Sequence, residues 1–219
     1  LVYYRLHGED LVQAIVRDIT ERKHAEEIRR GLERELELQK RSFYRDTILS
    51  VTDGKLSVVE QAEVEPYIAK SVASVEVDEF PEVSPARREV ESFVVAHGIT
   101  GERADAFMIG VGEAITNAVK HGKQGRVYLG ADEESVWVAV TDRGTGIESL
   151  ILPRAVLLRG FSTKPSLGLG YSIMLDVSDR ILLSTGDQGT TVVLTKEIAE
   201  PDLRVLPEYL PDTWNNVPS

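Results

Sequence analysis

The stretch Glu113-Ala114-Ile115-Thr116-Asn117-Ala118-Val119-Lys120-His121-Gly122 decides how the rest of the chain is read. It closes a helical run that starts near Glu102, with Ala106, Ile109, Val111, Ala114, Ile115, Ala118 and Val119 forming a wide apolar face. Gly122 is placed to end that helix. Glu113 and Asn117 are one turn apart and share a face. A carboxylate and an amide on one side of an otherwise apolar helix are either solvated or serve a site. Their oxygens suit a hard ion such as Mg²⁺, which keeps most of its waters and takes phosphate oxygens. Alone, the pair is common on exposed helices.

Working outward, Val136-Trp137-Val138-Ala139-Val140 is a strong strand that ends at Asp142-Arg143-Gly144-Thr145-Gly146. A carboxylate at a strand end with two glycines behind it lets a flat ligand approach the backbone closely. An Asp there can accept a hydrogen bond from the exocyclic amine of adenine. Gly168-Leu169-Gly170 opens a further helix, and glycines at a helix N-terminus expose N–H groups that bind phosphate. It is not the dinucleotide fingerprint, since it follows a loop and Ile173 stands where a third Gly belongs. Lys164 lies just upstream, within reach of a γ-phosphate. Gly189-Thr190-Thr191 starts the last strand, with Thr191 taken as the hydroxyl that helps read the base.

Each of these is ambiguous by itself; their order is not. Glu113-x-x-x-Asn117, Asp142-x-Gly144-x-Gly146, Gly168-x-Gly170 and Gly189-Thr190-Thr191 together resemble the nucleotide-binding set of the GHKL ATPase/kinase superfamily, over about Val72–Ile198. That superfamily includes histidine kinases and the bacterial anti-sigma-factor serine kinases. The resemblance implies ATP and Mg²⁺ as ligands. Asn117 would hold the metal, and Glu113 would act as general base or water-polarising group. Asp142 would bind the adenine amine in a pocket shaped by Gly144 and Gly146. Lys120, His121, Lys164, Gly168 and Gly170 would surround the phosphates. The fold it implies is α+β: a GHKL-type α/β sandwich, a mixed sheet covered by helices on one face.

The wording Glu113-Ala-Ile-Thr-Asn117-Ala-Val-Lys120-His121-Gly122 is close to the anti-sigma-factor serine kinase version of the first motif. Transfer to Ser/Thr of a partner protein is the expected activity. The expected partners are a STAS-type anti-anti-sigma protein or a response regulator, with a sigma factor possible. Two alternatives stand. One is a sensor histidine kinase with an atypical or missing phosphoacceptor; the other is a nucleotide-dependent partner-binding module without transfer. Of four histidines only His24 falls on the connecting helix, and Lys23-His24-Ala25-Glu26-Glu27 lacks the acceptor pattern.

The N-terminal part has a different character. Residues 1–50 hold 10 basic and 10 acidic side chains, and the remaining 15 basic and 26 acidic ones carry the whole net charge of -11. Leu1–Leu6 and Leu11–Val16 read as two strands around a turn at His7-Gly8-Glu9-Asp10. Asp18 and Glu21 read as a capping box that opens a long charged helix. Along it, Ala25, Ile28, Leu32, Leu36, Phe43 and Ile48 form one narrow apolar stripe, suited to a two-helix contact and hence a homodimer through residues 21–52. Gly31 interrupts it at a cost of roughly 1 kcal/mol relative to Ala. Arg17–Lys23, following a strand and opening a charged helix, resembles the exit of a PAS sensor domain. The expected divisions are 1–20 (sensor strands), 21–52 (signalling helix), 53–198 (ATP-binding domain) and 199–219 (a proline-rich tail).

Composition sets outer limits. With no cysteine, disulfide scaffolds, thiolate zinc sites and cysteine nucleophiles are excluded. The acidic balance argues against direct nucleic-acid binding. No apolar run approaches the ~20 residues of a membrane span, so a cytoplasmic location is expected.

Overall fold

The computed structural model describes residues 9–77, 80–148, 151–158, 160 and 169–199. Twelve elements follow in chain order among them. They are α1 (Glu9–Val51), β1 (Leu56–Val58), α2 (Gln61–Ala69), β2 (Ala73–Glu76), α3 (Phe80–Ala96), α4 (Gly101–His121), β3 (Arg126–Ala131), β4 (Ser135–Asp142), α5 (Leu152–Leu157), α6 (Gly170–Val177), β5 (Arg180–Gly186) and β6 (Gly189–Glu197).

The six strands form one sheet in the order β1-β5-β6-β4-β3-β2. β1 runs parallel to β5, with Leu56 opposite Ile181, and every other pairing is antiparallel, so the sheet is mixed. Helices α3, α4 and α6 pack on one face. Phe107, Val111 and Ile115 of α4 meet Val127, Leu129, Val138 and Leu194 of the sheet in a core that excludes solvent. The apolar stripe of α4 is what turns it inward, and its burial supplies the main driving force for this layer.

A short helix on the second face was not anticipated. Val64 of α2 is wholly buried against Trp137, Ala139, Leu182 and Val193. Trp137 Nε1 donates to the Tyr67 carbonyl at 3.0 Å, and the two rings meet edge-on at 5.7 Å. The signal was present in the chain. Val64, Tyr67 and Ile68 keep helical spacing, and the Glu60 N–H donates to Glu63 Oε1 at 3.1 Å at the helix start. Pro66 obscured it.

The N-terminal reading needs correction. Leu11–Val16 is not a strand: α1 runs unbroken from Glu9 to Val51. Asp18 therefore lies inside α1 and not at its start. Leu11, Val12, Ile15, Val16 and Ile19 fit a 3.6-residue period as well as a strand, and a lone hairpin has no sheet partner to stabilise it. The first strand reading, Leu1–Leu6, and the tail beyond Ala199 lie outside the described residues. α3 also carries a proline inside its span. Pro85 sits in its second turn, where the missing N–H forgoes only the bond to the Pro81 carbonyl.

Two contacts fix the frame around the site. The Arg103 guanidinium donates to the carbonyls of Glu197 (2.6 Å), Ile198 (3.1 Å) and Ala199 (3.2 Å), fastening the end of β6 to the start of α4. At the other end of α4, the Arg143 N–H donates to the Lys123 carbonyl at 2.7 Å. That bond holds the end of β4 beside the end of α4.

Candidate nucleotide site

The joined ends of α4 and β4 open onto a cavity of about 420 Å³, within the usual range for small-molecule sites. Glu113, Asn117, Lys120 and His121 line it from α4, Asp142 and Gly146 from the end of β4, and Gly170 and Tyr171 from α6. Ala114, Ala118, Val140, Ile147 and Val192 make its apolar wall. The site is thus a flat apolar slot with polar groups at its two ends.

At the inner end stands Asp142. The Gly144 N–H donates to Asp142 Oδ1 at 2.7 Å, so the second glycine position serves the carboxylate. The backbone of Gly122 presses on the Asp142 side chain from the α4 side, and no β-carbon would fit there. Burial lifts the Asp142 carboxyl above the ordinary carboxylate range, and hydrogen bonds from the backbone of Gly144 and Thr190 pull it back only in part. Burial likewise raises the Tyr171 phenol, with the Asp142 charge adding to it.

Gly146 adopts a left-handed backbone (φ 67°), which brings the chain against Gly186, whose amide nitrogen lies 2.8 Å from where a β-carbon would stand. Beyond it, the Ile147 N–H donates to Thr185 Oγ1 at 2.7 Å, and Thr185 Oγ1 lies 3.1 Å from Thr190 Oγ1. The β5–β6 hairpin therefore braces the loop that walls the slot.

At the outer end, Glu113 and Asn117 face the start of α6. A β-carbon on Gly170 would lie 3.1 Å from Glu113 Oε2 and 3.2 Å from Asn117 Nδ2. The free N–H groups of the first turn of α6 open at that point. Among the described residues no cluster of three or more His, Cys, Asp or Glu side chains could hold a metal ion by itself. An amide oxygen and one carboxylate are a partial hard-oxygen set, which fits Mg²⁺ only when phosphate oxygens and water complete the shell.

The chain matches the family model of the histidine kinase-like ATPase domain over residues 78–196. The chain belongs to that family. It is an ATP-binding domain of the kinase kind. The anti-sigma F factor of Bacillus velezensis is 34% identical over 125 residues, covering 52% of this chain and 84% of that protein. The anti-sigma F factor of Bacillus cytotoxicus is 35% identical over 124 residues, covering 52% and 83%. Among solved structures, the RsbU and RsbW domains of a Mycobacterium tuberculosis protein align with a TM-score of 0.42 at 16% identity, covering 59% of this chain and 34% of that one. The catalytic domain of histidine kinase ThkA aligns at 0.41 and 13% identity, covering 57% and 96%.

Within this ATPase domain, Glu113, Asn117, Lys120, His121, Asp142, Gly146 and Gly170 share one cavity, and Gly144 supports it from behind. Lys164 and Gly168 lie outside the described residues. Thr191 is misplaced in the sequence reading. Strand alternation turns it to the other face of the sheet, where it is buried beside Thr141 and Ser184, and its neighbour Thr190 lines the slot. Tyr171, Ile151 and Ala155 of the wall were also missed; the last two sit at and within α5. His24 is exposed on α1, and His97 ends α3 with Nδ1 2.8 Å from the Phe93 carbonyl.

Proposed function

We propose that this ATPase-family chain transfers the γ-phosphoryl group of ATP to a Ser or Thr hydroxyl of a partner protein. The observation that carries the reading is the facing of Glu113 and Asn117 across the cavity from Gly170 at the start of α6. Adenine stacks in the apolar slot with its amine donating to the Asp142 carboxylate. Thr190 takes the hydroxyl role first given to Thr191. The N-terminal turn of α6 and Lys120 receive phosphate oxygens, with Lys164 and Gly168 assigned to the same end.

Asn117 would hold the Mg²⁺ that accompanies ATP, and the ion would supply charge neutralisation on the phosphates. The partner's hydroxyl oxygen bonds to the γ-phosphorus as the bond from that phosphorus to the β–γ bridging oxygen breaks. Glu113 takes the hydroxyl proton, and ADP leaves. The relatives are named for acting against sigma F, which supports a sigma factor or its STAS-type antagonist as the protein bound here. α1 is the input segment of this reading, pairing with a second copy; Arg17–Lys23, on α1, is where a PAS-type sensor would join. Among the described residues no helix is long and apolar enough to cross a membrane, which is compatible with a cytoplasmic setting.

Incubation with γ-labelled ATP, Mg²⁺ and candidate partners tests the reading. Label on the partner that survives acid and is lost in alkali supports it, and Asn117→Ala should abolish that label. Acid-labile label on His24 would establish the histidine kinase alternative instead. Partner binding that needs ATP but leaves no label would establish the binding module.

A further inference from the structure

The second face of the sheet carries a groove that the nucleotide reading does not use. Its volume is about 910 Å³, near the upper end for small-molecule sites. Strand alternation sets its floor. Ser184 of β5, Thr191 of β6 and Thr141 of β4 stand side by side on this face, opposite the slot. α2 makes one wall through Glu65 and Ile68, and the turn between β5 and β6 makes the other.

The floor is polar and unsatisfied. Thr191 is 4% exposed and Ser184 7%. Both line the groove, and neither hydroxyl has a hydrogen-bond partner among the described residues. Thr141 Oγ1 reaches only the Arg126 carbonyl at 3.4 Å, longer than a good hydroxyl bond. Buried hydroxyls are nearly always hydrogen-bonded, so a row of them open to a groove points to a ligand that supplies the missing partners. Charge marks the two sides of the row. Asp187 lies in the β5–β6 turn, on the Ser184 side, and Arg143 follows β4 directly, on the Thr141 side. Neither belongs to an ion pair among the described residues. Around them Arg126 pairs with Glu76, Glu60 with Arg45 and Arg41 with Glu37, and Glu65 adds a second free acid on the α2 wall.

We propose that this groove binds a short peptide with free termini, in extended form. Its ammonium lies at Asp187, its carboxylate at Arg143 and its backbone amides on the hydroxyl row. A Ser or Thr hydroxyl both donates and accepts, so it serves an amide N–H and a carbonyl alike. Neighbouring strands lie ~4.8 Å apart, so three hydroxyls in a row span roughly 10 Å. An extended chain at ~3.3 Å per residue covers that span with three or four residues. Recognition is of backbone and termini, so the peptide's side chains matter little. The groove also shares a boundary with the nucleotide slot. Asp142 and Thr190 border both cavities, and Gly186, in the wall turn, backs Gly146. A peptide that steadies this turn raises ATP affinity, and ATP raises peptide affinity by the same factor. The inference stands whether or not phosphoryl transfer occurs.

Tetraalanine with free termini is the probe. Calorimetry on the full chain should show it binding, and binding more tightly when ATP is present. Acetylating its N-terminus and amidating its C-terminus should weaken it on the order of tenfold or more, the range for a charged hydrogen bond. Equal binding of the two forms would overturn the role given to the termini. Arg143→Gln and Asp187→Asn, both exposed, should each weaken the free peptide and leave the blocked one unaffected. Thr191→Val with Ser184→Ala should abolish binding of both forms, while the melting temperature and the ATP affinity without peptide report that the sheet is intact. Undiminished peptide binding by that double variant would refute the site. So would the absence of any tetraalanine binding to the unaltered chain at millimolar concentration. Maltotriose binding where tetraalanine does not would give the hydroxyl row to an uncharged polyol and overturn the peptide reading. Peptide binding that leaves ATP affinity unchanged would refute the coupling.

Discussion

The Gly144 N–H donates to Asp142 Oδ1 at 2.7 Å, so the carboxylate expected to read the base is itself held by the glycine two residues on. That bond, with a second from the Thr190 backbone, holds the carboxylate at the slot. Asp142→Asn should lower ATP affinity on the order of tenfold to a hundredfold, the range for one charge-assisted hydrogen bond. Titration calorimetry against ATP and against GTP would measure it, and equal loss for both would show that Asp142 does not read adenine.

The same carboxylate sets a pH dependence. Burial raises its folded pKa above the unfolded value of about 3.9. A raised pKa means the group favours folding fully below the unfolded pKa, and this contribution is lost as pH rises through the folded pKa. At neutral pH the ionised Asp142 is therefore a burden on the fold, and Asp142→Asn should raise the melting temperature there. For ATP the sign is opposite. Affinity should fall as pH drops through the folded pKa, because a protonated carboxyl no longer offers the amine a charged acceptor. Melts and ATP titrations from pH 4 to 8 follow both.

Gly170→Ala places a β-carbon 3.1 Å from Glu113 Oε2 and 3.2 Å from Asn117 Nδ2. Both side chains must shift by a few tenths of an ångström. Phosphoryl transfer should drop more than ATP affinity does, with the melting temperature unchanged or raised, since Ala favours a helix over Gly. Single-turnover transfer beside ATP titration separates the two effects.

Thr190→Val and Thr191→Val are adjacent changes with different expected results. The first removes a hydroxyl from the slot and its contact with Thr185 Oγ1, and should weaken ATP binding. The second lies on the far face and should leave ATP binding unaltered. The reverse outcome would mean that β6 is in the other register.

Phe107 of α4 is wholly buried between helix and sheet. Phe107→Ala should destabilise the domain by about 3–5 kcal/mol, the range for such truncations in close-packed cores. Urea unfolding gives the number, and a loss below ~1 kcal/mol would mean that α4 is not the main core helix.

The nucleotide half of the molecule was legible in its sequence because strong local signals coincide with tertiary roles. The α4 stripe, the Val136–Val140 strand and the Gly-flanked Asp142 each use residues for which few alternatives exist. Strand alternation decided Thr190 over Thr191, and that parity depends on where pairing begins, which Gly189 alone does not reveal. α2 was hidden by Pro66 and by having only three large apolar residues, Val64, Tyr67 and Ile68. The helical Leu11–Val16 segment was misread because β-branched content was weighed above period. Tyr171 and Ala155 reach the slot only through packing between elements, so no local pattern announces them.

α1 rests against both β1 and α5, and Ala155 of α5 lines the nucleotide slot. Any free energy that the state of α1 imposes on α5 must therefore be returned in equal measure when ATP occupies the slot. If α1 pairs with a second copy as proposed, nucleotide and helix pairing are two handles on one equilibrium. The stability of the α1 pair would then depend on the cell's ratio of ATP to ADP, and the chain would report energy charge backward along the helix as readily as it carries a signal forward.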